Sequence, residues 1–284
     1  MPDFSESDAL ETLRYSAPRA QLADFITLLF AWTLQRDGFD GWMPAVDGQI
    51  VIRVAGKARL ETLGGEIVEL PPFALIGPLS ATMRLVASPG YRAIGAGFTP
   101  VGLRSFLHVP ANAVTDQAID LSGICAADDL LRLVDQTGDL SIPHHGWKAI
   151  EGFLLQRLDQ NRRFDHDRIA GIDQWLKRST NPSVEELSAT LELSLRQTAR
   201  LTSMTHGLSP KLLAMRWRTQ RAAEDFALAE PNLRTLAHFG FSDQSHMIRD
   251  FRRFVGTTPK RFVHDEDIAR HTFAGPRKVG ARLI

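Results

Sequence analysis

The pattern of apolar residues changes partway along the chain, and this change limits the folds that the chain can adopt. Before residue 100, short apolar runs are separated by turn-forming pairs such as Asp47-Gly48 and Pro71-Pro72. Apolar runs of about four to eight residues that recur about every 8–12 residues are typical of an antiparallel barrel or sandwich. The pattern therefore predicts strands at residues 28–34, 49–54, 58–63, 74–76, 83–86 and 91–98.

Helical patterns replace the strand patterns after residue 100. Apolar residues lie three and four apart in residues 102–107, 126–136 and 147–159, which predicts three helices. From residue 168 onward only helix signals remain. The polar stretch 161–167 is the predicted boundary, so we expect one domain at residues 1–160 and a second at residues 161–284.

The start signals of the later helices are specific. Ser183 followed by Glu186 has the form of a capping box. Ser209-Pro210 predicts the start of a long helix over residues 211–228, since Pro favours the first helical position. Ser242 or Asp243 is the expected cap of a further helix that ends at Phe254.

The chain as a whole is neutral, with 33 Lys and Arg against 33 Asp and Glu, but its two predicted domains are not. Residues 1–160 hold 12 basic and 19 acidic side chains, a net charge of −7, whereas residues 161–284 hold 21 and 14, a net charge of +7. Such asymmetry points to a nucleic-acid partner for the basic half. A solvated basic surface is the alternative.

Cysteine content and hydropathy predict a cytoplasmic protein. Cys125 is the single cysteine in the sequence, so an intramolecular disulfide is impossible. The longest apolar stretch, residues 25–34, is about half of the ~20 residues that a spanning helix needs. The acidic N-terminus lacks the basic segment and apolar run of a secretory signal, and we expect no membrane partner.

A repeat with an offset of 49 residues lies within the basic half. Gly207-Leu208-Ser209-Pro210 recurs as Gly256-Thr257-Thr258-Pro259, and the same offset places Leu187 on Leu236, Ser188 on Ala237 and Arg200 on Arg249. Each copy has a short helix, a turn and a longer helix, which predicts a helix-turn-helix. The connecting helix would span about 27 Å, close to the ~34 Å between successive major grooves on one DNA face.

The second copy carries the motif of a known family. Residues 240–259 read GFSDQSHMIRDFRRFVGTTP, which strongly resembles the pattern GFxdxSxFxRxFkxxxGxtP of AraC/XylS-type bacterial transcription regulators. The likeness extends more loosely back to about residue 168. Tyr91-Arg92-Ala93-Ile94-Gly95, Phe98-Thr99-Pro100 and Gly102-Leu103 resemble the sensor portion of one AraC-like subgroup.

The resemblance implies an α+β fold in two domains. The N-terminal domain would be a β-rich, barrel-like (cupin-like) sensor with additional helices. The C-terminal domain would be all-α, with two helix-turn-helix motifs joined by a long helix. The resemblance further implies double-stranded promoter or operator DNA as a partner, contact with RNA polymerase, and activation of transcription more often than repression.

In the second copy, Met247, Phe251 and Phe254 are spaced to form a buried helical stripe, and the resemblance places the other faces of this helix in the major groove. Arg can donate two hydrogen bonds to guanine, Gln can pair with adenine, and an apolar side chain can contact the thymine methyl. An ion pair with a nearby carboxylate is the alternative for Arg249. The predicted base-reading residues are Gln244, Ser245, His246, Ile248 and Arg249, and the predicted phosphate contacts are Arg252, Arg253, Lys260 and Arg261.

The first copy departs from the family pattern. Thr198, Thr202 and Thr205 occupy the stripe where the family usually places Leu and Phe at the first two positions. Threonine hydroxyls need hydrogen-bond partners when they are buried. We therefore expect that the core could instead be filled by Leu195, Leu201 and Met204, packed in place of the three threonines. Arg196, Gln197 and Arg200 match base-reading positions, with solvated surface side chains as the alternative.

The N-terminal half offers fewer signals of chemistry. A metal-dependent cupin enzyme needs an H-x-H pair with further ligands, but the histidines before residue 161 are His108, His144 and His145, none in a predicted strand. The apolar stripe of helix 147–159 is a candidate dimer surface or interdomain strut, or it packs within its own domain. Four aromatic residues are candidates for a ligand pocket, with ordinary core packing as the alternative: Trp32, Trp42, Phe73 and Phe98.

These observations favour a sequence-specific DNA-binding transcription regulator whose N-terminal domain senses a small-molecule effector or forms a homodimer. The sequence contains no phosphate-binding glycine loop, dinucleotide fingerprint or nucleophile elbow. We therefore expect no enzymatic activity and no cofactor. Two alternatives stay open: a protein–protein adaptor with a degenerate helix-turn-helix domain, and a cupin-like enzyme fused to a helical module.

Overall fold

The computed structural model describes residues 11–35, 37–138, 143–158, 166–228, 239–264 and 268–281. Antiparallel strands make up most of the N-terminal part of these residues. They are β1 (Glu11–Ser16), β2 (Ile26–Leu34), β3 (Phe39–Met43), β4 (Gln49–Ala55), β5 (Ala58–Glu61), β6 (Ile67–Glu69), β7 (Phe73–Ile76), β8 (Met83–Ala87), β9 (Arg92–Phe98) and β10 (Ala118–Asp120).

Helices follow the strands. In the N-terminal half they are α1 (Pro100–Leu107), α2 (Ala127–Thr137) and α3 (Pro143–Arg157). In the C-terminal half they are α4 (His166–Arg178), α5 (Val184–Thr190), α6 (Leu195–His206), α7 (Pro210–Leu228), α8 (Gln244–Phe254), α9 (Pro259–His264) and α10 (Ile268–Lys278). None of the described helices is long and apolar enough to cross a bilayer.

The strands form two separately hydrogen-bonded sheets. One has six strands in the order β1-β2-β9-β4-β7-β10, and the other has four in the order β3-β8-β5-β6. The predicted β-rich, barrel-like domain is therefore confirmed, with the difference that the described strands leave the barrel open rather than closed.

Both faces of the central strands of the six-stranded sheet are buried, which explains the continuous apolar runs in these strands. Successive side chains of a strand point to opposite faces. Along β2, Leu28 and Trp32 join the cluster between the two sheets, whereas Leu29 and Ala31 join a second cluster beneath α1, α2 and α3. The strand is thus apolar at nearly every position because each face has its own core to fill.

The apolar stripe of α3 packs within the N-terminal half. Ile150, Phe153, Leu154 and Leu158 are buried in the cluster on the outer face of the six-stranded sheet. Of the alternatives for this helix, packing inside its own domain is the one that the structure confirms. The same stripe is not free to form a dimer surface.

The C-terminal half is helical, as predicted, and it shares a core with the strands. Phe251, Phe254 and Phe262 are buried in the same cluster as Trp32 and Met83. A separate small core of Ile172, Trp175, Leu187, Leu208, Leu213 and Trp217 supports α4 to α7. The predicted boundary at 161–167 falls largely outside the described residues, since the description resumes with α4 at residue 166.

Candidate nucleic-acid interface and ligand cavity

Helix α8 begins and ends where its sequence signals predict. Asp243 is the N-cap, and its side chain accepts a hydrogen bond of 2.8 Å from the backbone N–H of His246. This bond holds the pKa of the Asp243 carboxyl below its usual value. The helix ends at Phe254, and Gly256 follows with a φ of 92°, a left-handed conformation that favours glycine.

The two faces of α8 differ sharply. Met247, Phe251 and Phe254 are fully buried, which confirms the predicted stripe. Gln244, Ser245 and Arg249 are exposed on the opposite side, and Ile248 is half-buried. The helix therefore presents a polar surface that includes Arg249 to solvent, and Arg252 and Arg253 in its last turn are exposed as well.

Arg249 is held by its own helix. Its Nε donates to the backbone carbonyl of Ser245 at 3.3 Å, and it forms no ion pair with any residue that the structure describes. The ion-pair alternative therefore finds no support among the described carboxylates. The guanidinium is available to a partner outside the chain.

His246 lies behind this surface rather than on it. Its Nδ1 is 3.1 Å from the Ser242 hydroxyl, and its Nε2 is 3.2 Å from Arg218 Nη2 and 3.3 Å from Asp250 Oδ2. Both ring nitrogens face groups of the protein. The structure thus places His246 in an internal polar network, apart from the other predicted base-reading residues.

Arg218 is the centre of that network, and it connects several elements. Its guanidinium donates to Asp250 Oδ2 at 3.0 Å, to the Gly240 carbonyl at 3.2 Å and to Asn181 Oδ1 at 3.2 Å. It also lies 4.9 Å from the centre of the Phe241 ring, a distance suited to a cation–π contact. Arg218 therefore ties α7 to α8 and to the segment before α5.

The first helix-turn-helix consists of α5 and α6. Ser183 caps α5 by accepting a hydrogen bond from Glu186 N, and its hydroxyl donates to Glu185. The predicted capping box is incomplete, because no bond from the Ser183 backbone N–H to the Glu186 carboxylate accompanies this cap. Ser194 and Gln197 form a complete capping box at the start of α6. Gln197 is therefore engaged in capping, while Arg196 and Arg200 are exposed.

The threonine stripe of α6 remains in the core. Thr198, Thr202 and Thr205 are buried, and the hydroxyls of Thr202 and Thr205 donate to backbone carbonyls of α6 at 2.8 Å. Leu201 and Met204 are only partly buried, and the side chain of Leu195 is 53% exposed. The expectation that these three residues replace the threonines is wrong, because backbone carbonyls one turn back satisfy two of the three hydroxyls.

A cationic groove separates the two helix-turn-helix regions. It has a volume of about 550 Å³ and is lined on one side by Lys211 of α7 and on the other by Arg249 and Arg253 of α8. Asn181 and Pro182 also line it. The predicted phosphate contacts Arg252, Arg253, Lys260 and Arg261 are all exposed, and of these Arg253 lines the groove.

The space between the sheets contains an apolar cavity of about 110 Å³. Trp32 lines it and makes edge-to-face contacts with Phe39 and Tyr91, at centroid distances of 5.2 and 5.3 Å. Burial raises the pKa of Tyr91 to about 12, so this hydroxyl stays neutral at physiological pH. Thr272 of α10 also lines the cavity, so one wall comes from the C-terminal half.

The four predicted pocket aromatics separate into two pairs. Trp32 and Phe98 line the cavity. Trp42 instead packs against Gly256, and Phe73 packs against the cluster on the outer face of the six-stranded sheet. His108 ends α1, and His144 and His145 are exposed at the start of α3; within the described ranges, no three His, Cys, Asp or Glu side chains are placed to hold a metal ion.

Residues 187–265 match the model of a protein family described as a helix-turn-helix domain. The bifunctional transcriptional activator/DNA repair enzyme Ada of Escherichia coli (strain K12) is 30% identical over 98 residues, which cover 34% of this chain and 28% of Ada. The resemblance to AraC/XylS regulators is confirmed over this region. Residues 187–265 therefore belong to a helix-turn-helix domain.

Solved structures similar to most of this chain include two of ToxT from Vibrio cholerae. One is 12% identical, covers 89% of this chain and 96% of ToxT, and has a TM-score of 0.48. The other, with bound unsaturated fatty acid, is 13% identical, covers 92% and 97% of the two chains, and has a TM-score of 0.47. The AraC-like transcriptional activator CuxR is 13% identical over 76% of this chain and 88% of its own, with a TM-score of 0.34.

Within this domain, the predicted first helix of the second motif, with Leu236 and Ala237, lies outside the described residues. Sequence reasoning also missed Arg216, Arg218 and Gln220 of α7, all buried. Positions 216 and 220 lie four apart and share one helix face. That spacing identifies a polar face on α7, but it does not reveal that the face is covered by another part of the chain.

Proposed function

We propose that the protein is a sequence-specific, DNA-binding transcription regulator of the AraC/XylS type. The observation that carries this proposal is the exposed surface of α8. Gln244, Ser245 and Arg249 project from a helix whose other face is anchored by three buried apolar side chains. A rigid helix with such donors and acceptors suits base-edge recognition in the major groove.

The first motif supplies the second reading helix in this proposal. Arg196 and Arg200 are exposed on α6, and α7, which follows α6 and leads towards α8, has 19 residues and a length of about 28 Å. This length approaches the ~34 Å between successive major grooves on one face of DNA. The two motifs would therefore read adjacent grooves of a double-stranded operator.

Phosphate contacts come from the basic side chains around these helices. Lys211 and Arg253 line the groove between the motifs, where the DNA backbone between two major grooves would pass. Arg252, Lys260 and Arg261 would add affinity without sequence information. A net charge of +7 over residues 161–284 supports this electrostatic contribution.

The N-terminal half, which we propose as the domain of residues 1–160, would sense a small apolar molecule in the cavity between the sheets. The cavity is lined mostly by apolar side chains, and residues 43, 44 and 46–49 form part of its wall. The same segment bonds to α7 and α8 through Ala45, Val46 and Asp47. A ligand that displaced this wall would act directly on the helices that carry the DNA-reading residues.

Two further partners rest on the family resemblance alone. They are a second copy of the chain and RNA polymerase, and we propose that this chain contacts both in the complex assembled at the promoter. A cytoplasmic location follows from the proposed function, because promoter DNA is there.

The experiment that tests the function is a selection of genomic DNA fragments by the purified full chain. We expect a motif of two half-sites about one helical turn apart. Binding without sequence preference would contradict the regulator and favour the adaptor. Stoichiometric bound metal together with turnover of a substrate would favour the cupin-like enzyme.

A further inference from the structure

Both copies of the repeated glycine lie against the N-terminal half. Gly207 and Gly256 have φ angles of 78° and 92°. A Cβ atom on Gly207 would lie 2.5 Å from the Thr115 hydroxyl, and one on Gly256 would lie 2.3 Å from Cβ of Trp42. The positive φ and the close approach both require glycine. These glycines, 49 residues apart, therefore mark two points at which the helices contact the N-terminal half.

The first contact point fixes the carboxyl end of α6. The Thr115 hydroxyl lies 3.0 Å from the carbonyl oxygen of Gly207 and 3.1 Å from that of Ala111, so it can donate to either. Carbonyls at the end of a helix lack partners within the helix and need others. A side chain of the N-terminal half supplies one of these partners to α6.

The second contact point fixes the carboxyl end of α8 in a similar way. The backbone N–H of Thr82 donates to the Arg253 carbonyl at 2.7 Å, and the N–H of Ala45 donates to the Phe254 carbonyl at 2.8 Å. Both donors belong to loops of the N-terminal half. The two helices that carry the predicted base-reading residues are thus held at the same end by the same part of the chain.

Helix α7, which follows α6 and leads towards α8, is attached to the same loops. Arg216 is only 2% exposed, and its Nη1 donates to the carbonyls of Val46 and Leu79 at 3.2 Å each while its Nη2 bonds to the Asp47 carboxylate. Gln220 Nε2 donates to the Ala45 carbonyl at 2.6 Å. These bonds bury polar groups of α7 in the contact with the N-terminal half.

One short segment, residues 78–82, touches both contact points, and we call it the bridge segment. Pro78 lies against Gly207, Leu79 accepts from Arg216, and Thr82 donates to Arg253. Asp116 stiffens this segment, because its carboxylate accepts from Ser80 N at 2.7 Å and from the Ser80 hydroxyl at 2.6 Å. A rigid strip of the N-terminal half therefore spans the distance from α6 to α8.

We propose that the bridge segment sets the separation between α6 and α8 and so selects the spacing of the two DNA half-sites. This inference rests on the proposed function. Each base pair of displacement rotates one half-site by about 34° relative to the other, because B-DNA repeats every ~10.5 base pairs. Helices held at a fixed separation tolerate little of this rotation, whereas loosely held helices tolerate more.

The test uses the half-sites found by DNA selection, placed at spacings that differ by one or two base pairs. We expect the full-length wild type to bind DNA with the best spacing at least about tenfold more tightly than DNA whose spacing differs from it by two base pairs. Asp116→Ala, which releases Ser80, and Arg216→Met, which releases the loops from α7, should reduce this preference to about threefold or less. Affinity for a single half-site should stay within about twofold.

Asp116→Asn is the matched control, because asparagine keeps an acceptor for Ser80 N and tolerates the left-handed φ of 58° at this position. It should retain the wild-type preference. Melting curves confirm that each variant is folded. Unchanged spacing preference in both folded variants would overturn the inference. Absence of sequence-specific binding by the wild type would instead contradict the proposed function, and the inference with it.

Discussion

Arg218 and Asp250 form an ion pair that is almost wholly shielded from solvent. Arg218 Nη2 lies 3.0 Å from Asp250 Oδ2, and the two side chains are 7% and 5% exposed. Because the two residues are on α7 and α8, the pair fixes the orientation of one helix against the other. The exposed residues of α8 depend on this orientation although neither partner belongs to the exposed surface.

Arg218→Met should lower the free energy of unfolding by about 3–5 kcal/mol, because it leaves the Asp250 carboxylate buried with one partner fewer. Urea unfolding of the full chain measures the loss. The double variant Arg218→Met/Asp250→Leu removes the unpaired charge and should be more stable than Arg218→Met alone. If the double variant loses as much stability as the two single variants, Arg218→Met and Asp250→Leu, lose together, the ion pair contributes nothing to stability.

Arg249→Ala should weaken binding to the selected DNA site by about 1–3 kcal/mol and relax the preference at one base position. The reason is that a guanidinium facing a base edge discriminates among bases, whereas one facing a phosphate does not. Titrations against the selected site and its single-base variants provide the measurement. An equal loss of affinity for every sequence would reassign Arg249 to the DNA backbone.

Arg200→Ala is the counterpart of Arg249→Ala in the first motif. We expect a smaller loss, because the stripe behind Arg200 consists of threonines that bury less apolar area than the phenylalanines behind Arg249. The same titrations apply. A loss as large as that of Arg249→Ala would show that the threonine stripe holds α6 as firmly as the phenylalanines hold α8.

Thr198→Val should leave stability unchanged or raise it by up to about 1 kcal/mol. The Thr198 hydroxyl is fully buried and forms no hydrogen bond with any described residue. Valine has nearly the same shape as threonine, and it lacks the hydroxyl group, which is desolvated at this position. Thr202→Val is the matched control and should destabilise α6, since the Thr202 hydroxyl donates to the Thr198 carbonyl. Thermal melting distinguishes the two.

The cap of α8 should contribute a pH-dependent part of stability. The folded-state pKa of Asp243 is lowered, so its contribution is fully present above the unfolded pKa of about 4 and is lost as the pH falls through the folded value. Asp243→Asn keeps a capping oxygen without the titrating charge. The difference in melting temperature between wild type and variant should therefore shrink as the pH falls below about 4. A constant difference would contradict this role.

The cavity should bind a small apolar molecule. Its volume of about 110 Å³ is of the same order as an engineered cavity of ~150 Å³ that binds benzene. Benzene should raise the melting temperature of the wild type, because a ligand that binds only the folded state stabilises it. Ala93→Leu fills the cavity from β9 and should abolish the increase. An equal increase in the variant would place the binding elsewhere.

Sequence periodicity predicted the elements whose apolar pattern is strong, and it failed where pattern is weak. The stripe of α8 and the strands β2, β4 and β9 were predictable because each buries at least one regularly spaced face. Strands β1 and β3 were missed because polar residues and Gly41 interrupt their runs. Trp42 could not be placed, because its packing partner Gly256 lies more than 200 positions away in the chain.

The polar contacts were the least predictable part of the site. Arg218 meets Asp250 across 32 positions, and Arg216 meets Asp47 across 169. Pairs this distant share no helical period and no turn, so they follow only from the arrangement of whole elements. His246 shows the same limit, because its position in the motif indicates the exposed face, while Arg218 and Asp250 draw its ring inward.

The core shared between the strands and α8 limits how this protein can be recombined with others. Phe254 and Val255 complete a cluster whose remaining members include Val46, Leu79 and Met83 of the N-terminal half. A chimera that joined residues 1–160 to the DNA-binding half of another regulator would leave this apolar surface facing a partner of the wrong shape. A functional chimera must therefore take the loops that contact Gly207 and Gly256 from the same protein as the helices that these loops hold.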